Sequence, residues 1–368
     1  MIACMRIGQP IKRPRLVRWM LTLALCFLYA WRKLRLPSSI WSRQIRGILN
    51  NWTDSMFGIL IRSRLKQAYP DQPCSLRRPA TYKPKVEVAD EFKLAEKDVR
   101  FFFEKGYLEP FDAFTEHEVR AFAHEIDIAR KAESKHYGFV TDRDHHLSLP
   151  TLMEFIRRPA IVERLAQLLG PDLVVWRSQF FYKPPHGKAV QWHQASTYLV
   201  EDYLEPALIP PDRDDLFQLT VWVAVDPATK ANGCLRVIPG TADAIRTITF
   251  GAGDASFYKA SYAMDHDFSK TPAVHLEARP GQAIIFAERT IHGSADNSTD
   301  NSRSAFNFRV VRPDTQVYKG KTYHRARHMG QKYQLDNWGC VLLRGEDKFK
   351  LNKMVPGAVR EEAGSAAS

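Results

Sequence analysis

The sequence predicts a mainly β domain behind a helical lead-in, carried on a basic, apolar N-terminal extension. Three observations predict it. Short runs rich in Val, Ile, Phe and Trp, punctuated by Gly, Pro, Asn and Asp, occupy residues 173–182, 217–225, 235–238, 283–286 and 306–311. Helical patterns precede them. The charge is also divided unevenly. The chain of 368 residues has a formal net charge of +12. Residues 1–85 hold 17 Lys and Arg against two acids, Asp54 and Asp71, a net of +15; the remainder holds 36 bases against 39 acids. The basicity belongs to the extension, and the body is close to neutral. Hydrophobic residues make up 45% and charged residues 26%, which excludes wholesale disorder, a collagen-like repeat and a polytopic membrane protein.

The extension comes first, as residues 1–69. Residues 19–31, from Trp19 to Trp31, carry no charge; Lys12, Arg13, Arg15 and Arg18 precede them, and Arg32, Lys33 and Arg35 follow. This run is shorter than the about 20 residues of a spanning helix. The bulky, basic residues after it are not those of a cleaved signal peptide. Residues 40–68 mix Ile40, Trp41, Ile45, Ile48, Leu49, Trp52, Met56, Ile59 and Leu60 with Arg43, Arg46, Arg62, Arg64 and Lys66. Basic, Trp-containing amphipathic helices settle in membrane interfaces, so the expected partner is a membrane surface, at its cytoplasmic face. An extension that packs on the domain is the competing reading. Long apolar runs between the bases disfavour nucleic acid as a partner.

Residues 70–90, with Pro70, Pro73, Pro79 and Pro84, read as a linker. The body, 91–345, opens with helical patterns at 95–105 and 115–132. Thr115 and Glu118 have capping-box spacing; Phe122, Ile126 and Ile128 supply an apolar face. A third pattern spans 152–169 and stops at Gly170-Pro171. Residues 346–368 read as a polar tail. Five cysteines (4, 26, 74, 234, 340) show no Cys-x-x-Cys, which points to a reducing compartment without a disulfide framework.

Of twelve histidines, His117, His124 and His136 read as residues of surface helices. His145 and His146 fall in a polar loop, and His324 and His328 in a basic run. Two stand apart. His193, in Gln191-Trp192-His193-Gln194-Ala195, follows a strand; His292, in Thr290-Ile291-His292-Gly293, follows another; Arg303 opens the strand eleven residues later. A non-haem Fe(II) oxygenase uses two His and one carboxylate on one face of the metal. The other face stays open for a 2-oxo acid and O2, and an arginine pairs with the acid's distal carboxylate in bidentate fashion. The carboxylate position, two residues after the first His, here holds Ala195. Spacing alone leaves open that both histidines are core residues of a β-sandwich with no metal.

Residues 106–318 resemble the phytanoyl-CoA dioxygenase superfamily. Within it they are most similar to the Fe(II)/2-oxoglutarate-dependent aliphatic halogenases. The resemblance rests on Gly106 to Phe114, on Trp176 to Pro184, on Trp192-His193-Gln194-Ala195, on Thr220 to Ala224 and on Ala231 to Thr241. It implies a double-stranded β-helix (jelly-roll, cupin-like) core. It also implies Fe(II), 2-oxoglutarate, O2 and chloride or bromide as cofactors, with His193 and His292 on iron. Arg303 falls on the arginine that holds 2-oxoglutarate, and Trp222 on a tryptophan lining the same site. Arg309, Thr220 and Tyr198 fall where the halide lies. In these halogenases Ala or Gly replaces the acidic ligand, as Ala195 does, and halide occupies the gap. The physical reading agrees: two neutral imidazoles leave the metal's charge uncompensated, so an anion is favoured beside a methyl group. The implied reaction chlorinates an unactivated C–H of a hydrophobic or carrier-tethered acyl substrate. Two other outcomes stand beside it. Glu201, Asp202, Glu205, Asp212, Asp214 or Asp215 restores a carboxylate ligand and makes a hydroxylase, or the chain is an inactive, membrane-associated relative. The Pro239-Gly240-Thr241-Ala242-Asp243 run departs from the Pro-Gly-Ser-His frequent in the hydroxylases.

Overall fold

The computed structural model describes residues 14–42, 76–194, 207–212, 214–243, 248–250, 262–264, 266–326 and 331–360, with isolated positions between 45 and 64. Helix α1 (Arg15–Lys33) stands at the N-terminus, longer than its uncharged stretch. Among the described residues no helix is long and apolar enough to cross a membrane. Most of the second apolar stretch, 40–68, lies outside the described residues, as do 70–75 of the linker.

The helical lead-in forms as expected, with two corrections, the first being that Ile128, read as part of the second helix's apolar face, is exposed while Val119 is buried there with Phe122 and Ile126. Helix α2 (Glu96–Lys105) ends at Gly106 in a left-handed conformation, and strand β1 (Phe111–Asp112) follows. In α3 (Glu116–Ala129) the capping box closes: the Glu118 backbone N–H donates to Thr115 Oγ1 at 3.3 Å, and the Thr115 N–H to Glu118 Oε2 at 2.7 Å. The single helix expected at 152–169 is two, α4 (Pro150–Ile156) and α5 (Pro159–Leu169). Pro159 has no N–H to continue the first helix and its ring would clash with the preceding turn, so it starts a new one. Phe155 of α4 stacks on Phe114 at 4.4 Å, and Phe122 of α3 meets Phe306 edge-on at 5.7 Å. These rings join the helices to the sheet.

The core is two antiparallel sheets with the arrangement of a jelly roll. The larger has β2 (Leu173–Lys183), β5 (Gln218–Ala224), β10 (Gln282–Ala287), β12 (Arg303–Val311) and β16 (Val341–Arg344), in the order β1-β10-β5-β12-β2-β16. The smaller has β3 (Val190–His193), β6 (Leu235–Ile238), β9 (Val274–Leu276) and β11 (Ile291–Ser294), in the order β3-β11-β6-β9. Outside them β4 (Leu208–Ile209) pairs with β13 (Gln316–Val317), β7 (Ile248–Phe250) with β8 (Tyr262–Met264), and β14 (Tyr323–Ala326) with β15 (Gln331–Gln334). Every residue of β5 is buried, as an almost continuous apolar run requires when both faces are covered.

The segments read as linker and tail pack on this core. Leu76 is buried, the Arg77 N–H donates to the Asp214 carbonyl at 2.6 Å, and the Lys85 N–H to that of Gln167 at 2.8 Å. At the other end the Val355 N–H donates to the Cys340 carbonyl at 2.9 Å. The Asn352 side chain bridges the Val317 N–H and the Thr315 carbonyl. Proline-rich and polar composition hid these backbone hydrogen bonds.

Three histidines read as surface residues are interior. His145 stacks on Phe180 at 4.8 Å; His146 is fully buried, with Nδ1 2.9 Å from Ser178 Oγ; His324 lies against Tyr318 and Tyr333. Tertiary burial of a short polar segment leaves no periodic trace in sequence. His136 sits half-buried in a turn rather than in a helix, and His328 lies outside the described residues.

Candidate functional site

The site is built where the two sheets face each other. His193 ends β3 and His292 lies in β11, and the antiparallel register makes them direct cross-strand partners. Their ring centroids are 4.2 Å apart. His193 Nδ1 lies 2.8 Å from the Gln191 carbonyl and His292 Nδ1 2.9 Å from the Thr290 carbonyl. A carbonyl only accepts, so each Nδ1 carries the hydrogen and each Nε2 keeps its lone pair. The two backbones thus impose the same tautomer on both rings. Burial holds the His193 imidazole down at about 4, and holds His292 well below the usual histidine range, with His193 as the next cause. Neutral imidazole that carries its hydrogen on Nδ1 is a form that binds a metal through Nε2.

The larger sheet supplies the facing wall. His193, His292, Arg303, Arg309, Trp222 and Thr220 border one cleft. Arg303 and Arg309 share a face of β12 because strand period is two. The same rule puts Thr220 and Trp222 on one face of β5. The β12–β5 register sets Arg309 opposite Thr220. The Arg303 guanidinium lies 5.5 Å from the Trp222 ring centre, and its Nη2–H donates to the Gly233 carbonyl at 2.7 Å. Its Nε is buried with no partner among the described residues.

Sequence reasoning missed Lys183. It is buried at the end of β2, directly opposite Arg303 in the β12–β2 register. Its ammonium donates to Ser294 Oγ at 2.7 Å and to the Ala295 carbonyl. Burial and then the Arg303 charge bring its pKa down to about 7. Among the described residues neither cation has a carboxylate at ion-pair distance. A charged residue closing an eleven-residue strand that is otherwise mostly buried was the available signal. Asn307, between Arg303 and Arg309 on the same face, also borders the cleft.

Gln194 was missed too. It is fully buried, and its Nε2–H donates to the Arg289 carbonyl at 2.5 Å. That bond ties the chain leaving His193 to the chain approaching His292. Beside it Arg289 Nε lies 3.0 Å from Glu288 Oε1, both side chains buried.

Ala195 and Tyr198, read as the halide pocket, lie outside the described residues, as do Glu201, Asp202 and Glu205. Two other acids read as possible ligands are engaged elsewhere: Asp212 Oδ2 accepts from Arg77 at 2.8 Å, and Asp215 pairs with Arg312. Among the described residues no group of three His, Cys, Asp or Glu is placed to hold a metal.

The residues fit an iron ion and a dicarboxylate. The paired Nε2 lone pairs suit the metal. The paired cations, with a buried guanidinium Nε that has no partner among the described residues, suit the carboxylate.

The profile of the phytanoyl-CoA dioxygenase (PhyH) family matches residues 102–305. A probable phytanoyl-CoA dioxygenase of Caenorhabditis elegans is 28% identical over 195 residues, covering 52% of this chain and 58% of the relative, so the match spans little more than half of that protein. The peroxisomal phytanoyl-CoA dioxygenase of Mus musculus is 24% identical over 269 residues, covering 67% of this chain and 77% of the relative. Among solved structures, CytC3 with Fe(II) and alpha-ketoglutarate superposes with a TM-score of 0.58 at 28% identity, covering 72% of this chain and 93% of that one.

Proposed function

The chain belongs to the phytanoyl-CoA dioxygenase family, and from that premise we propose that this Fe(II)/2-oxoglutarate-dependent oxygenase is a halogenase, placing chloride or bromide on an unactivated aliphatic carbon. The reading is carried by Ala195, which stands in sequence two residues after His193 where the acidic ligand is expected, together with two histidines whose Nδ1 hydrogens are held by backbone carbonyls. A methyl side chain neither fills the third ligand position nor supplies its negative charge.

His193 and His292 are the residues to hold iron. Arg303 and Lys183 take the distal carboxylate of 2-oxoglutarate, two buried cations against one anion. Trp222 walls that end. Iron and 2-oxoglutarate, with O2, supply the oxidising power to remove a hydrogen atom from carbon. The protein's own task is placement: Arg309 and Thr220, which border the cleft, would flank a bound halide, with Tyr198 assigned to the same role from sequence, and the cleft would orient the substrate carbon. The basic, apolar extension favours a hydrophobic or carrier-tethered acyl substrate.

Hydroxylation is the second reading. The relatives described above are named as dioxygenases, one of them as probable, and in this reading Glu201, Asp202 or Glu205, assigned from sequence, would complete a carboxylate ligand set. Halide titration separates the two. A halogenase consumes 2-oxoglutarate productively only with chloride or bromide present, and its product carries the halogen's isotope pattern. Halide-independent turnover to a hydroxylated product alone overturns the first reading.

A further inference from the structure

Helix α1 is apolar on two sides. On one, Leu21, Leu25 and Leu28 are buried, and Tyr29 stacks on Phe57 at 5.2 Å. On the other, Leu16, Met20, Leu23 and Phe27 recur at the spacing of a single helix face, with Trp19 beside them. All five are at least half exposed. Leu34, Leu36 and Ile40 continue the exposed apolar surface past the helix end.

Arg32 and Lys33 in the last turn suit the helix macrodipole, but the charges at its start do not. The first turn has no acid and the N-cap makes no side-chain hydrogen bond, yet Arg15 and Arg18 stand there. Cations at a helix N-terminus oppose the macrodipole, so an external anion is the natural compensation. Arg15 and Lys33 lie on the same edge of the stripe, a whole number of turns apart. Residues 1–85, these cations included, carry a net of +15 while the body stays near neutral.

We propose that α1 is an in-plane anchor on an anionic phospholipid surface. Leu16, Trp19, Met20, Leu23 and Phe27 enter the interface, and Arg15 and Lys33 meet headgroup phosphates at its edge. A helix of 19 residues whose uncharged stretch is 13 residues long lies along the bilayer instead of crossing it. A second copy of the chain is the weaker occupant, because an antiparallel pair through this stripe sets cations against cations. The inference does not rest on the halogenase reading.

The test uses the full chain with vesicles of phosphatidylcholine, with and without phosphatidylserine. The protein should sediment with the phosphatidylserine vesicles and be released as salt shortens the Debye length. Brominated acyl chains should quench part of its tryptophan fluorescence, and Trp19→Phe should remove that part. L23E/F27E should weaken partitioning about tenfold or more, from the lost apolar burial, with 2-oxoglutarate turnover unchanged because neither side chain borders the cleft. A chain that stays in solution with phosphatidylserine vesicles at low salt overturns the proposal. So does a dimer, seen by light scattering, that L23E/F27E dissolves while sedimentation is unchanged.

Discussion

Lys183 and Arg303 stand directly opposite each other on β2 and β12, two buried cations at one end of the cleft. Like charges in that position destabilise a sheet, and Lys183 has already shed part of its proton affinity, with a pKa of about 7. A dicarboxylate relieves both. Lys183→Met should therefore raise the KM for 2-oxoglutarate about 10- to 100-fold, the size of one lost charge-assisted hydrogen bond, with a much smaller change in kcat. The sign of the pH dependence follows. The charged ammonium is the binding form, so affinity for 2-oxoglutarate weakens as pH rises through about 7. Initial rates at several pH values check it: Lys183→Met should flatten the profile, and a profile identical in both proteins would remove Lys183 from the binding site.

Ala195→Asp puts a carboxylate where the proposed halide binds. Charge and volume both act against the halide, so chlorinated product should fall below detection while iron binding is kept or strengthened. Product analysis by mass spectrometry reads the result directly. Chlorination that survives the substitution would place the halide elsewhere. Activity without halide in the parent protein, unchanged by the substitution, would identify a hydroxylase with another carboxylate on iron.

Much of this site was legible because the chemistry is local in sequence. His193 ends β3, while His292, read as following a strand, lies within the short strand β11, and each borders the cleft between the sheets. Arg303 and Arg309 share a face by strand parity. Lys183 was not legible as a partner of Arg303, because only the β12–β2 register, set 120 residues apart, puts the two together. His146 was misread for a related reason: its burial comes from Ser178 on β2 and from the C-terminal segment, neither of which its neighbours encode. Pro159 was legible and overlooked, since a proline inside a helical pattern breaks it.

Gly233 carries a prediction about shape. Its φ is +75°, and an added Cβ would lie 2.5 Å from the Ala295 carbonyl oxygen and 3.0 Å from Lys183 Nζ. Its own carbonyl accepts from Arg303. Gly233→Ala should thus disturb both cations at once. The expected result is a loss of 2-oxoglutarate affinity at least as large as that of Lys183→Met, with about 1–3 kcal/mol of stability from the left-handed backbone and the clash. Isothermal titration of 2-oxoglutarate into the iron-loaded protein and a urea melt measure the two parts separately. Unchanged affinity with reduced stability would confine Gly233 to the turn.

His146 sets a limit on acid stability. It is fully buried, and burial lowers its pKa from 6.5 to about 4. In the unfolded chain it takes up a proton near 6.5; in the folded protein it resists protonation until about 4. The contribution is fully present above 6.5 and is lost as pH falls from 6.5 towards 4, at about 1.4 kcal/mol per pH unit for one proton. His193 and His292 share this behaviour in metal-free protein, but bound iron protects them, so His146 should dominate the holoprotein's response among these three. Urea unfolding of the iron-loaded protein between pH 7.5 and 5 should show the decline, and His146→Asn should lessen its slope by about one proton. An unaltered slope in that variant would mean that other groups, such as His145, whose pKa burial also lowers, govern the acid limb.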